Sequence, residues 1–237
     1  MKTGINPRNV VTGWAQGLPA AWRKGLGPVG DWADMMFVDH GFVRLAYLNL
    51  HRVTPAMWRS AQPGPGAIRQ LAARGIKSIL NLRGERNCGS YILEKRACRE
   101  HGITLIDMPI NSRTAPDAQR VLRLKETFDT MAYPALLHCK SGADRAGLAA
   151  MLFLHLHEAV PVSEARRHLS WRYGHVKQAR TGVIDYFFDE YERDREKAGR
   201  TLIEWVQSPD YDANALTEHF RSNVLANALV DFVLRRE

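Results

Sequence analysis

Leu136-Leu137-His138-Cys139-Lys140-Ser141-Gly142-Ala143-Asp144-Arg145-Ala146-Gly147 is the stretch on which the reading of this chain turns. A short apolar run ends in His138-Cys139, a glycine-containing loop follows, and an apolar helical pattern begins at Arg145. That succession predicts a buried strand, a turn and a helix. Successive backbone N–H groups converging in such a loop form an anion-binding nest. The start of the helix adds its positive end, and Arg145 adds a fixed cation able to grip two oxygens at once. These features favour a reactive Cys139 thiolate, and the same donors would hold a tetrahedral oxyanion against the sulfur. Gly142 lets the loop turn without a clashing Cβ.

Working outward, Ile76 to Leu82 and Ile103 to Met108 are β-rich runs of strand length, and Met57 to Pro63 reads as a short strand entering a turn. Between them lie helical patterns at Pro65 to Arg74 and Ser90 to His101, and a third from Pro116 with Val121, Leu124, Phe128 and Met131 inward. The alternation predicts an α/β fold with a largely parallel central sheet flanked by helices. Ligands bind such sheets beyond the carboxyl ends of the strands, where Arg83, Met108 and Cys139 all emerge. After Pro161 the pattern is all-helical. Ser163 reads as the N-cap of a helix through Tyr173, Thr181 as the start of another, and Ala213 to Arg236 as one or two more, with a stripe of Leu225, Ala228, Leu229 and Phe232. The expected division is an N-terminal arm over 1–41, a central domain over 42–180 and a helical C-terminal extension over 181–237 packed on it.

The chain has 237 residues, 45% of them apolar, enough for a real core. Lys and Arg number 33 against 25 Asp and Glu, a net +8. The excess serves solubility or attracts phosphate-rich partners. No recognition motif accompanies it, so a nucleic-acid partner is not expected. The three cysteines, Cys88, Cys98 and Cys139, match neither a disulfide framework nor a zinc site, which points to a reducing compartment. Met1 to Pro7 shows no apolar h-region, so no secretory signal is expected. The longest apolar stretch, Ala146 to Leu154, falls far short of the ~20 residues of a membrane span. The expected location is cytoplasmic. Trp14, Trp22 and Trp32 beside Arg8, Arg23 and Lys24 leave two alternatives open for the arm: packing on the domain, or peripheral contact with the inner face of a membrane.

His138-Cys139-Lys140-Ser141-Gly142-Ala143-Asp144-Arg145 resembles the His-Cys-five-residues-Arg signature of the cysteine-dependent protein tyrosine and dual-specificity phosphatase superfamily. Trp58-Arg59-Ser60-Ala61-Gln62-Pro63 and Gly75 to Glu85 are similar to the compact bacterial dual-specificity-like members, and the likeness runs from about Phe42 to Arg180. The resemblance implies a hydrolase of phosphomonoesters, of protein tyrosine or dual specificity, acting through a phosphocysteine intermediate with no metal or other cofactor. It implies Cys139 as nucleophile, Arg145 as clamp on the phosphate and transition state, and the loop residues Lys140, Ser141, Gly142 and Ala143 as phosphate binders. Arg83, at the same sheet edge, reads as a further substrate contact. Arg59, Arg86, Arg113, His175, Lys177 and Arg180 read either as ordinary surface charge or as a basic rim for a polyanion. The substrate reading therefore stays open between a phosphorylated protein and a phospholipid or inositol phosphate, and a phosphate-binding module without turnover is the rival from another class. Two positions depart from the family pattern. Ala146 stands where many members carry Ser or Thr. The loop Pro109 to Ala115, where the general acid is usual, holds no carboxylate. Asp144 is the first candidate for that acid and Asp107 the second; Asp117 is expected only as a helix cap.

Overall fold

The apolar runs pair into one five-stranded sheet, in a computed structural model that describes residue 27, residues 29–39 and residues 47–222. Its strands are β1 (His51–Arg52), β2 (Met57–Ala61), β3 (Ser78–Asn81), β4 (Thr104–Asp107) and β5 (Ala135–Cys139), in the order β1-β2-β5-β3-β4. The β2–β5, β5–β3 and β3–β4 pairs are parallel, and only the short β1 runs antiparallel to its neighbour. The α/β class with a largely parallel sheet is thus the one observed. β3 and β5 are buried at every position, which is why Ile79-Leu80 and Ala135-Leu136-Leu137 are apolar without alternation. β4, at the edge, is half-exposed.

The chain divides into two units. The first consists of the described residues up to Pro109 together with Ala132–Gly142, and contains the whole sheet. In it α1 (Pro65–Ala73) and α2 (Gly89–Glu100) lay Ile68, Leu71, Ala97 and Cys98 against Ile79 of β3 and Leu136 of β5. Each of the isoleucine and leucine side chains, once fully buried, contributes about 1.5–3 kcal/mol. Pro65 opens α1 at a position whose N–H would have no helical partner.

The second unit comprises Ile110–Met131 and the chain from Ala143 onward. α3 (Ala118–Thr130) begins two residues after the Pro116 start expected from the sequence, and Asp117 is its N-cap, with Oδ1 accepting from the Arg120 amide at 2.8 Å. α4 (Asp144–Leu156) is buried without a break from Ala146 to Leu154, and accordingly is apolar on all sides. Phe128 of α3 meets Phe153 of α4 edge-to-face at 5.4 Å. α5 (Val162–Ala165), α6 (Val183–Ala198) and α7 (Leu202–Gln207) follow. Trp205 of α7 packs on Phe187 and Tyr191 of α6 and on Tyr211, with ring centroids 5.3, 5.7 and 4.7 Å away.

Three further helical expectations need correction or restriction. The helix expected through Tyr173 stops at Ala165, with Pro161 rather than Ser163 as its N-cap, and continues as 3-10 turns at Arg166–His168 and Trp171–Tyr173. Tertiary packing overrides local propensity there. The bare Cα of Gly147 in α4 admits the segment so closely that a Cβ on it would lie 2.6 Å from Leu169 Cδ2 and 2.9 Å from the His168 carbonyl. α6 begins at Val183 instead of Thr181, because a 3-10 turn over Arg180–Gly182 precedes it. Residues 213–222 are helical as expected, whereas the stripe from Leu225 to Phe232 lies outside the described residues, as do Trp14, Trp22, Arg8, Arg23 and Lys24. Among the described residues no helix is long and apolar enough to cross a membrane.

Candidate active site

β5 delivers Cys139 to the carboxyl edge of the sheet, paired with Ala61 of β2, while its neighbour His138 lies between Ser60 of β2 and Asn81 of β3. Cys139 is buried, and all three cysteines are free. Cys98 is a core residue of a different kind: burial, with Glu94 and Asp107 nearby, pushes its thiol up to about 12, where it is inert.

Long-range donors fix the backbone after Cys139. Arg59, fully buried on β2, donates Nη2 to the Gly142 carbonyl at 2.7 Å. Asn49 Nδ2 donates to the Ser141 carbonyl at 3.0 Å. In a trans peptide C=O and N–H point opposite ways, so anchoring these two carbonyls turns the adjoining amides to the other face of the loop. An anion nest requires that arrangement. Gly142 has φ +77, and a Cβ on it would lie 2.6 Å from the Ala61 nitrogen. Only glycine fits both the conformation and the space.

A buried polar chain leads from the residue before Cys139 to the residue after it. His138 Nε2 is 2.7 Å from Glu94 Oε1. Gln62 Nε2 donates to Glu94 Oε2 at 2.6 Å, and the Gln62 carbonyl oxygen accepts from Arg83. Arg83 grips both oxygens of Asp39, at 2.7 and 3.0 Å. Asp39 also accepts from Ser90 Oγ at 2.8 Å and lies 3.3 Å from Lys140 Nζ. Burial works against the Arg83 charge, but Asp39 more than restores it, and the guanidinium pKa is raised. Arg83, expected at the substrate, is thus buried and held by Asp39 and Gln62. Arg59 is likewise buried and bonded within the protein, whereas Lys140 keeps nearly half of its side chain exposed.

Asp107 ends β4, with Oδ1 accepting from Asn81 Nδ2 at 2.8 Å and Oδ2 from the Tyr91 hydroxyl at 2.6 Å. The Tyr91 pKa is raised, first by burial and then by Asp107. Both carboxylate oxygens therefore bind groups of β3 and α2.

In the second unit Asp144 and Arg145 form the first turn of α4, both half-buried, with the buried Ala143 as its N-cap. His175 lies between two carboxyl groups, with Nδ1 2.7 Å from Asp144 Oδ1 and Nε2 2.7 Å from Asp185 Oδ2 on α6. Ala146 is fully buried and brings no hydroxyl to this turn.

The sequence reading missed Asp39, Asn49, Glu94 and Asp185. Glu94 carried a signal, as a carboxylate on the inward face of α2 between the buried Ser90 and Ala97. Asp39 and Asn49 carried none, since Asp39 is the residue that ends the helical turn Asp34–Val38 and Asn49 lies in irregular chain.

A curated relative, the dual specificity protein phosphatase TpbA of Pseudomonas aeruginosa, is 24% identical over 108 residues, which is 45% of this chain and 46% of the relative. The match thus spans about half the length of that relative. The crystal structure of Pseudomonas aeruginosa TpbA superposes with a TM-score of 0.52 at 18% identity, covering 65% of this chain and 93% of TpbA. A cysteine-to-serine variant of TpbA in complex with phosphotyrosine gives a TM-score of 0.50 at 16% identity, covering 73% of this chain and 90% of that one. These likenesses establish the fold. The family model described as a DSP-PTPase phosphatase fused to NAD+ kinase matches residues 47–177, more than half of the 237 residues, and the chain belongs to this phosphatase family.

Proposed function

We propose that this protein is a cysteine-dependent phosphomonoesterase in which Cys139 is the nucleophile and Arg145 the phosphate clamp. The observation that carries the reading is the loop after Cys139, whose Ser141 and Gly142 carbonyls are anchored from behind by Asn49 and Arg59. A rigid loop presenting amides is the preorganised form that transition-state charge stabilisation needs. The Cys139 thiolate attacks phosphorus, the P–S bond forms and the P–O bond to the leaving group breaks. Asp144 gives its proton to the departing oxygen. Water then attacks phosphorus with Asp144 as base, the P–S bond breaks, and inorganic phosphate leaves. Asp144 is preferred over Asp107 as the acid because both Asp107 oxygens already hold structural partners.

The proposed substrate is a protein phosphomonoester of tyrosine or dual specificity, met in the cytoplasm. The phospholipid and inositol-phosphate alternative drew on a set of lysines, arginines and His175 around the loop, and three of them, Arg59, Arg83 and His175, are buried and bonded to the protein itself. The test is vanadate-sensitive release of phosphate from p-nitrophenyl phosphate and from phosphotyrosine peptides, abolished by Cys139→Ser. An inactive wild type sinks the reading, and a clear preference for phosphatidylglycerophosphate or inositol phosphates sinks the substrate assignment alone.

A further inference from the structure

His175 lies thirty positions beyond the loop, yet its side chain is only 1% exposed and touches a carboxylate with each ring nitrogen. Nδ1 is 2.7 Å from Asp144 Oδ1, and Nε2 is 2.7 Å from Asp185 Oδ2. A neutral imidazole has one N–H and one lone pair, so it would turn the lone pair on one of the two carboxylates. When both carboxyl groups present an acceptor oxygen to the ring, only the doubly protonated ring satisfies both. The ring is also firmly placed, since the His175 amide donates to the Ser170 carbonyl at 3.1 Å and Gly174 turns the chain at φ +83. The charged groups facing it are Asp144 from the start of α4 and Asp185 from the first turn of α6, while Lys177, two residues on, is turned to Asp189 at 3.5 Å.

We propose that His175 is the positioning residue for Asp144: bridging Asp144 to Asp185, it holds the Asp144 carboxyl group in one orientation, with one oxygen tied to the ring and the other left for the proton transfer. The proposal rests on Asp144 serving as acid and base in the reaction above. In the first step the Asp144 proton passes to the leaving oxygen, and the carboxylate left behind faces a cation. In the second step the attacking water returns a proton to that carboxylate. His175 keeps both of its protons throughout. With Ala146 in place of the hydroxyl that usually assists the second step, an oriented Asp144 carries more of that step here.

Burial opposes the charge on His175, but the hydrogen bonds to Asp144 and Asp185 outweigh it and raise the pKa to about 9. When the ring loses a proton, one carboxylate meets a lone pair and the bridge opens. The experiment is kcat and KM against pH for an alkyl phosphate and for p-nitrophenyl phosphate, with the ¹⁵N signals of the His175 ring followed over the same range. The wild type should show an alkaline limb in kcat near pH 9 for the alkyl ester, matched by the ring titration. His175→Gln should lower kcat for the alkyl ester by about 10²-fold, the order of one acid–base contribution, with KM and the p-nitrophenyl rate little changed and no limb. Asp185→Asn, which leaves His175 and Asp144 in place, should move the limb and the ring titration to lower pH. Equal losses on both substrates in His175→Gln with the limb retained overturn the proposal, and so does a ring that is neutral at pH 7 in an active enzyme. A wild type inactive on every ester overturns the phosphatase reading itself, which separates the two failures.

Discussion

Arg59 Nη2 donates to the Gly142 carbonyl at 2.7 Å, joining residues 83 positions apart in the chain. The bond links the strand next to β5 directly to the loop that β5 delivers. Arg59→Met keeps length and apolar packing but leaves that carbonyl without its guanidinium donor, at a cost of about 1–3 kcal/mol. Misplacing a loop amide by about an ångström costs on the order of 10²-fold in rate. The expected result is a folded protein with kcat down by that order and vanadate affinity weakened in parallel. Steady-state kinetics with a urea titration measures both.

Gly142→Ala places a methyl group 2.6 Å from the Ala61 nitrogen and 2.7 Å from the Ser60 carbonyl carbon, in a residue with φ +77. The left-handed conformation alone costs about 1–2 kcal/mol for an alanine, and backbone on the far side cannot yield as a side chain would. The loop must lift away from β2. Turnover should be lost while the far-UV circular dichroism stays that of the wild type. A variant with normal kcat would show that the loop is not held as described.

Glu94 is fully buried and joins His138, 2.7 Å from its Oε1, to Gln62, 2.6 Å from its Oε2. Glu94→Gln removes the carboxylate and replaces one of its two acceptor oxygens by an NH₂. A buried polar group left without its partner costs about 1–3 kcal/mol. A drop of that order in unfolding free energy by urea denaturation is expected, with kcat falling because His138 precedes the nucleophile.

Asp107→Asn and Asp144→Asn should separate cleanly. Asp107 accepts from Asn81 and Tyr91, so its replacement should lower stability by about 1–3 kcal/mol with the ratio of alkyl to aryl phosphate rates unchanged. Asp144→Asn should collapse that ratio, because only the alkyl leaving group needs a proton. A brief substrate panel on the two variants is sufficient.

His175 also ties stability to pH. Its pKa is raised from 6.5 in the unfolded chain to about 9 in the folded one, so the folded state binds the proton more tightly. The resulting stabilisation is fully present below pH 6.5 and disappears as pH rises through about 9, a span worth roughly 3 kcal/mol at most. Thermal unfolding between pH 6 and 10 should show this loss in the wild type. The His175→Gln variant should lack that component.

The succession of β2 to β5 along the chain, the helices between them and the place of the Cys139 loop after β5 were legible in the sequence, because each rests on contacts within a few residues, whereas β1 and the 3-10 turns after Ala165 were not. A short apolar run ending in His138-Cys139, a glycine at the turn and a helix of apolar residues are local signals, and spacing along the chain fixes them. Arg83 shows where such reading ends. Its place at the carboxyl end of β3 was clear, but whether its guanidinium faced a substrate or the protein depended on Asp39, which only the folded chain brings within 2.7 Å. The same holds for Arg59 on Gly142, for Glu94 on His138 and for Asp185 on His175. A buried charge must find a partner wherever packing places one, and sequence separation leaves no trace of that choice. Local periodicity therefore determined where the cysteine loop lies, and the tertiary structure decided which distant side chains hold it.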